Sequence, residues 1–181
     1  MTVVSTIAPE HEIVGYAVTR AHHADVGGGT PGSMPAGATE IFQEGVRIPG
    51  TRIVADGEID EELLEFVLAN VRNPEERRAD LRAQLAANDR GGRRIGELID
   101  EYGRDRLADA FDAVIDYSRR RIEAEIADVP DGTYEATDVL EGDGVTDVDV
   151  PITATVTVDG SAVTVDFAGT ADQVAGNVNA P

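Results

Sequence analysis

The chain of 181 residues contains no cysteine, no lysine and no tryptophan, and its aromatic content is only 4%. Without cysteine there is no disulfide framework, thiolate metal site or cysteine nucleophile, so any metal chemistry falls to histidine and carboxylate oxygen. Without tryptophan, Leu, Ile, Val and Ala must fill the core, drawing on a hydrophobic content of 41%. Long apolar runs are also missing. The longest are a few residues, against the roughly 20 that span a bilayer, and no basic stretch followed by an apolar one opens the chain. A cytoplasmic location follows by default. The length suits one ordinary domain, or one domain with an appendage.

Positive charge is scarce. Thirty-five acidic residues face 15 basic ones, all arginine, for a net charge of −20. Nucleic acid and anionic membrane are therefore excluded as natural partners. The acids are spread over every segment instead of gathering into a tail, as expected of a solvated surface. Such dense self-repulsion destabilises a compact chain unless salt screens it, with a screening length of about 3 Å at 1 M. A salt-loving source is expected.

Alternation predicts two strands at the start, Thr2–Ile7 and Ile13–Thr19, with Val3, Val4, Ile7, Val14, Ala17 and Val18 as core candidates. From Arg20 to Pro49 periodicity is lost in a stretch rich in Gly, Pro, Ser and Ala. Loops beyond roughly 12–15 residues are usually functional or disordered. Helical spacing then takes over. Leu63, Leu64, Val67, Leu68 and Val71 form one stripe, introduced by Asp60, Glu61 and Glu62. Pro74 starts a second helix striped by Leu81, Leu85, Ile95, Leu98, Ile99 and Tyr102, with Gly91-Gly92 as a place to bend or break. A third, from Arg104 to Ala127, carries Leu107, Phe111, Val114, Ile115, Ile122 and Ile126. Pro130-Asp131-Gly132 turns the chain into strands over Thr133–Leu140, Val150–Val158 and Ala162–Phe167, the last two joined at Asp159-Gly160. The expected fold is α+β: N-terminal strands of a larger sheet, a three-helix block, and a C-terminal antiparallel hairpin sheet. The segments are 1–58, a strand pair with a Gly-rich loop; 59–128, the helical block; and 129–181, the antiparallel β segment. Both ends look cut.

Two of the three histidines stand together in His22-His23-Ala24-Asp25, after a predicted strand and before Gly27-Gly28-Gly29. Imidazole with carboxylate suits divalent Mn, Zn or Fe, although adjacent residues on an extended strand point to opposite faces, so one of the two histidines stands apart from any shared ion. Solvated or core histidines at a loop entrance fit the pattern equally well. The glycine run either lets backbone approach a ligand or simply turns the chain, and it lacks the Lys-Ser/Thr of a phosphate loop. Ser33 does not match Gly-x-Ser-x-Gly and reads as a turn residue. Glu40 and Glu44 are carboxylates for the same pocket or surface charges. Arg77, Arg78 and Arg82, with Asp80, Glu75 and Glu76, read as a solvated ion-pair face, or else an interface.

Taken in order, several runs resemble the hydantoinase B/oxoprolinase family, which also takes in the alpha subunit of acetone carboxylase. They are Ala21 to Gly28, Pro31 to Pro35 with Thr39 to Gly45, Leu68 to Gln84, Asp116-Tyr117-Ser118, Pro130 to Tyr134, and Asp166 to Thr170 through Asn179-Ala180-Pro181. The resemblance covers essentially the whole chain. It implies a B-type subunit working with an ATP-using A-type partner to open small cyclic amides such as 5-oxoproline or hydantoins, where phosphorylating the lactam oxygen makes a leaving group. A carboxylase-like subunit, or a non-catalytic module that docks the A-type partner through its Arg-rich helix, is the alternative. By position, His22 matches a metal-ligating histidine of the family, with His23 and Asp25 as groups supporting it from behind. The family's Gly-Gly-Thr-His-x-x-Asp stretch would precede Met1, and more of the subunit would follow Pro181. The chain is therefore expected to be an internal piece, short of ligands and silent by itself, whose partners include the remainder of the B-type subunit.

The charge pattern sets a first test. Circular dichroism during dilution from molar to millimolar salt should show progressive loss of folded signal; a spectrum that stays constant throughout contradicts a salt-adapted surface.

Overall fold

The computed structural model describes residues 1–179, so that of Asn179-Ala180-Pro181 only Asn179 falls within it. By contact the chain groups into two compact units, Met1–Tyr102 and Gly103–Pro181, a different partition from segments 1–58, 59–128 and 129–181. The architecture is α+β, with three helices and small antiparallel sheets.

In the first unit β1 (Thr2–Ile7) pairs antiparallel with β2 (Gly15–Arg20), placing Val3 opposite Thr19 and Val4 opposite Val18. Successive side chains of a strand face opposite ways, so only one set can meet the helix behind the sheet. Val3 and Ile7 are buried, whereas Val4 and Val18 are 59% and 57% exposed. The expectation that all the strand valines would be interior therefore fails for those two. Among the described residues nothing covers the second face of this pair.

Helix α1 (Glu61–Leu68) starts where the Asp60 carboxylate accepts the Leu63 amide at 2.9 Å, with Glu61 and Glu62 at its positive end. It buries Leu64, Val67 and Leu68, and Leu64 and Leu68 meet Leu81 in a small core bordered by Ile53, Ile59 and Val71. Before it, β3 (Val54–Ala55) and β4 (Glu58–Ile59) form a hairpin whose strands are too short to show alternation in the sequence. Its Asp56-Gly57 turn has φ of 54° and 82°, the two left-handed residues that a tight hairpin requires.

Helix α2 (Pro74–Tyr102) runs without a break through Gly91-Gly92. Those glycines mark where the helix crosses the sheet: a Cβ on Gly91 would stand 3.7 Å from Ala17, and one on Gly92 3.9 Å from Ile7. The face α2 turns inward is largely polar. Arg77, Leu81, Gln84 and Asn88, spaced at three and four residues, are its buried positions. Asn88 donates to the Val3 carbonyl and to the Ser5 hydroxyl, both at 3.1 Å, tying α2 to β1.

In the second unit α3 (Arg104–Ala127) matches its predicted span, yet Phe111, Val114, Ile115 and Ile122 are exposed and the helix buries no residue among those described. The sheet has the order β5 (Gly132–Leu140), β6 (Val150–Asp159), β7 (Ala162–Asp166), with Gly160 opening the β6–β7 turn at φ 60°. Register puts Tyr134, Val156 and Val165 in one row and Thr133, Thr157 and Thr164 in the next, giving an apolar face and a threonine face. Asp143, buried, accepts from the amides of Val145, Thr146 and Gly176, which hold its carboxyl down to about 2 and clasp the acidic loop against the segment after β7.

The small core makes Leu64 a sensitive position, at 1% exposure. Leu64→Ala should cost about 2–5 kcal/mol in urea unfolding, lowering the midpoint at constant slope; a cost under ~1 kcal/mol would show that the three-leucine cluster is not what holds α1 in place.

Candidate functional site

β2 delivers the chain at Arg20 into the segment that holds His22, His23 and Asp25, and α2 passes behind it. The three side chains meet different fates: His22 is exposed, while His23 and Asp25 are 5% and 4% exposed. Nε2 of His23 donates to Gln84 Oε1 at 2.8 Å. The direction of that bond follows from the other end of Gln84, whose amide nitrogen faces the carbonyl oxygens of Met1 and Thr19 at 3.3 and 3.4 Å. Two acceptors there turn the Gln84 oxygen toward His23, so Nε2 of the imidazole is the donor of that bond. Its Nδ1 has no hydrogen-bond partner among the described residues and lies 4.0 Å from Asp80 Oδ2.

Asp25 is an organiser of backbone. Oδ1 accepts from the amides of Gly27 and Arg72, both at 2.9 Å, and Oδ2 from the Gly32 amide at 3.1 Å and the Arg72 guanidinium at 2.9 Å. These donors, the Arg72 amide foremost, hold its carboxyl well below the usual carboxylate range despite burial. Arg72 also reaches the carbonyls of Gly28 and Thr30. One side chain from the α1–α2 junction thus pins both limbs of the glycine loop.

The glycines serve this internal closure. Gly27, at φ 88°, carries no Cβ because one would lie 2.4 Å from the Asn70 carbonyl oxygen; at Gly28 the clash is with Gln43, at 2.5 Å. Ser33 is the turn residue expected of it, accepting the Val26 amide and donating to the Gly27 carbonyl, both at 2.7 Å. Glu40 is exposed and caps a short 3-10 turn, Ile41–Gln43, in a reciprocal box with Gln43; Glu44 is half-buried.

The Arg-rich face divides. Arg78 pairs with Glu61 and Glu65, and Arg82 is exposed, as a solvated network requires. Arg77 corrects the expectation: it is 3% exposed, its guanidinium held 3.0 Å from Glu76 and Asp80. Arg72, Gln84 and Asn88 do not stand out in the sequence. For Gln84 and Asn88 the one signal is a stripe at helical spacing around Leu81 whose neighbouring members are polar; Arg72 lies before the helix and has none.

Among the described residues no three His, Asp or Glu side chains converge as a metal set. Asp25 has both oxygens engaged, His23 has one nitrogen bound to Gln84, and only His22 stands open. One imidazole falls short of the roughly three protein ligands of a catalytic metal, so the residues present do not by themselves form such a centre.

Asp25→Asn should destabilise the fold at neutral pH by about 2–3 kcal/mol, since an amide cannot accept from four donors. The carboxyl is depressed in the folded state, so its contribution is complete above the unfolded value of about 3.9 and is lost as pH falls below it toward the folded value. In unfolding measured against pH, the gap between parent and variant should therefore begin to narrow below about pH 4 and go on narrowing as pH falls; a gap as wide at pH 2 as at neutral pH refutes the charge as its source.

The whole chain, residues 1–181, matches the family model described as hydantoinase B/oxoprolinase. It is 35% identical over 168 residues to the B-type subunit of a putative D-/L-hydantoinase from Pseudomonas sp. (strain NS671), covering 90% of this chain and 28% of that protein. Its fold superposes on the crystal structure of ATP-dependent caprolactamase from Pseudomonas jessenii with a TM-score of 0.82 at 33% identity, covering 91% of this chain and 28% of that one. Acetone carboxylase, in its nucleotide-free structure, shares the fold with a TM-score of 0.81 at 22% identity, covering 93% of this chain and 24% of that one. The chain thus spans less than a third of the relatives it matches, and it belongs to the hydantoinase B/oxoprolinase family.

Proposed function

We propose that this chain is part of the B-type subunit of an ATP-dependent enzyme that hydrolyses small cyclic amides, of the hydantoinase or 5-oxoprolinase type, working in the cytoplasm with an ATP-using A-type partner. The observation that carries the reading is the match at 33% identity and a TM-score of 0.82 to an ATP-dependent caprolactamase, an enzyme whose named substrate is itself a ring amide. The 5-oxoprolinase of Dictyostelium discoideum, 32% identical over the full length of this chain, points to the same class of ring. Likeness to acetone carboxylase, at 22% identity, speaks for the fold and not for the chemistry.

His22 is the residue this reading uses. Burial alternates along this segment, with His23 and Asp25 inside and His22 and Ala24 outside, so the His22 imidazole is exposed on a loop that Gln84 and Arg72 hold in place. It supplies one ligand to a divalent ion of the Mn, Zn or Fe type, the others coming from polypeptide outside this sequence, with His23 and Asp25 keeping the backbone still. When bound, such an ion would polarise a carbonyl oxygen or an attacking water. ATP belongs to the A-type partner. An assembly module docking through the Arg-rich helix loses support where Arg77 is buried.

The test is metal content. In the complete B-type subunit, His22→Ala should reduce stoichiometric metal at least tenfold and abolish ATP-dependent ring opening, while secondary structure by circular dichroism stays that of the parent. Unchanged metal content in the variant removes His22 from the site.

A further inference from the structure

β1 has one partnered edge and one open one. The Met1 ammonium donates to the Ala21 carbonyl at 2.6 Å and the Ala21 amide donates back to the Met1 carbonyl at 3.0 Å, so the two residues stand as a hydrogen-bonded pair of the antiparallel ladder. Alternation then gives the same status to Val3, Ser5 and Ile7 against Thr19, Ala17 and Gly15. The N–H and C=O groups of Thr2, Val4 and Thr6 accordingly point away from β2, and among the described residues no strand pairs with that edge.

The space beside the edge is a half-open groove. A groove of about 1550 Å³ is lined by every residue of β1, and its other walls are the 46–59 segment, α1 and α2. Half-buried Leu63 and Leu85 line it together with the buried Val67 and Leu81, an apolar wall beside a row of backbone groups that have no partner among the described residues. A helix would leave those groups unpaired; an extended segment satisfies them and sets alternate side chains on the leucines and valine. The outer face of the same sheet, with Val4, Tyr16 and Val18 all more than half exposed, would continue across the added strand.

We infer that β1 receives a third strand, apolar at alternate positions, from B-type polypeptide outside these 181 residues. The occupant follows from length: the hydantoinase subunit and the caprolactamase chain each carry about 72% of their residues outside the region matched here. The inference rests on the B-type reading for its occupant, but its readout requires neither metal nor turnover, so a failure of the edge and a failure of His22 are separable.

Amide hydrogen exchange tests it on the chain alone and on the chain co-expressed with the rest of its B-type polypeptide. In the assembled protein Thr2, Val4 and Thr6 should exchange at least ~100-fold more slowly than in the chain alone, approaching Val3, Ser5 and Ile7, which already bond to β2. Fast exchange at the three edge amides beside protected Val3, Ser5 and Ile7 in the assembled protein overturns the proposal. So does protection that appears in the chain alone as its concentration rises, which would make a second copy the occupant. Val4→Pro deletes an outward N–H and leaves the β2 ladder intact, as proline can on an edge. It should lower association at least tenfold without altering exchange at Val3, Ser5 and Ile7; association at parental strength refutes strand addition.

Discussion

Asp25 is a buried carboxylate that answers four donors, and the first unit is organised around satisfying it. An ionised oxygen pair taken out of water is costly unless hydrogen bonds replace its hydration. Here the replacements come from three places in the chain, Gly27, Gly32 and the distant Arg72, so the loop cannot open without stranding the charge. That constraint explains the glycines: Gly27 and Gly28 must pass within van der Waals reach of the Asn70 and Gln43 carbonyls to bring their backbone to Asp25 and Arg72. It also explains why a loop with no regular structure presents a fixed surface.

The second organising surface is the inward face of α2. A helix that buries Arg77, Gln84 and Asn88 around a single leucine gains less from the hydrophobic effect than an apolar one, and gains in specificity of position. Asn88 answers Val3 and Ser5, and Gln84 answers Met1, Thr19 and His23, so a shift of one helical turn would break each of these bonds. The polar stripe thereby sets where α2 sits along the strands. Among the described residues, Nδ1 of His23, Nη1 of Arg77 and Oδ1 of Asn88 have no hydrogen-bond partner, positions where buried water commonly completes such networks.

These two features mark what was legible in the sequence and what was not. Helix α3 and strand β1 stand at their expected residues, and the other main elements lie close to theirs, because hydrophobic period, Asp60, Pro74 and the glycine turns are local signals. Burial was not local. Val4 and Val18 carry the same β-branched signal as Val3, and only the side on which α2 lies separates them. Phe111 and Ile115 make a proper helical stripe on α3 and remain exposed. Arg77 and Arg78 are adjacent arginines with opposite fates, one inside and one paired at the surface. At the site, the His22 to Asp25 cluster was visible from composition; that Asp25 would be consumed by Arg72, 47 residues away, was not.

The consequence reaches the residue that sequence position favours most. His22 has no buried contact of its own to orient it; its direction is inherited from neighbours at 23 and 25, which are held by α2 and by the α1–α2 junction. The long-range bonds thus fix the backbone that carries His22, while its exposed imidazole keeps its own rotamer freedom. It follows that substitutions at Gln84 or Arg72 act on the same loop without touching whatever His22 touches. Removing either leaves a buried partner unsatisfied, and the backbone at Ala21 to Gly28 relaxes to find water. The position of this segment and the packing of its two distant anchors are therefore one property of the chain, written in residues that local pattern separates.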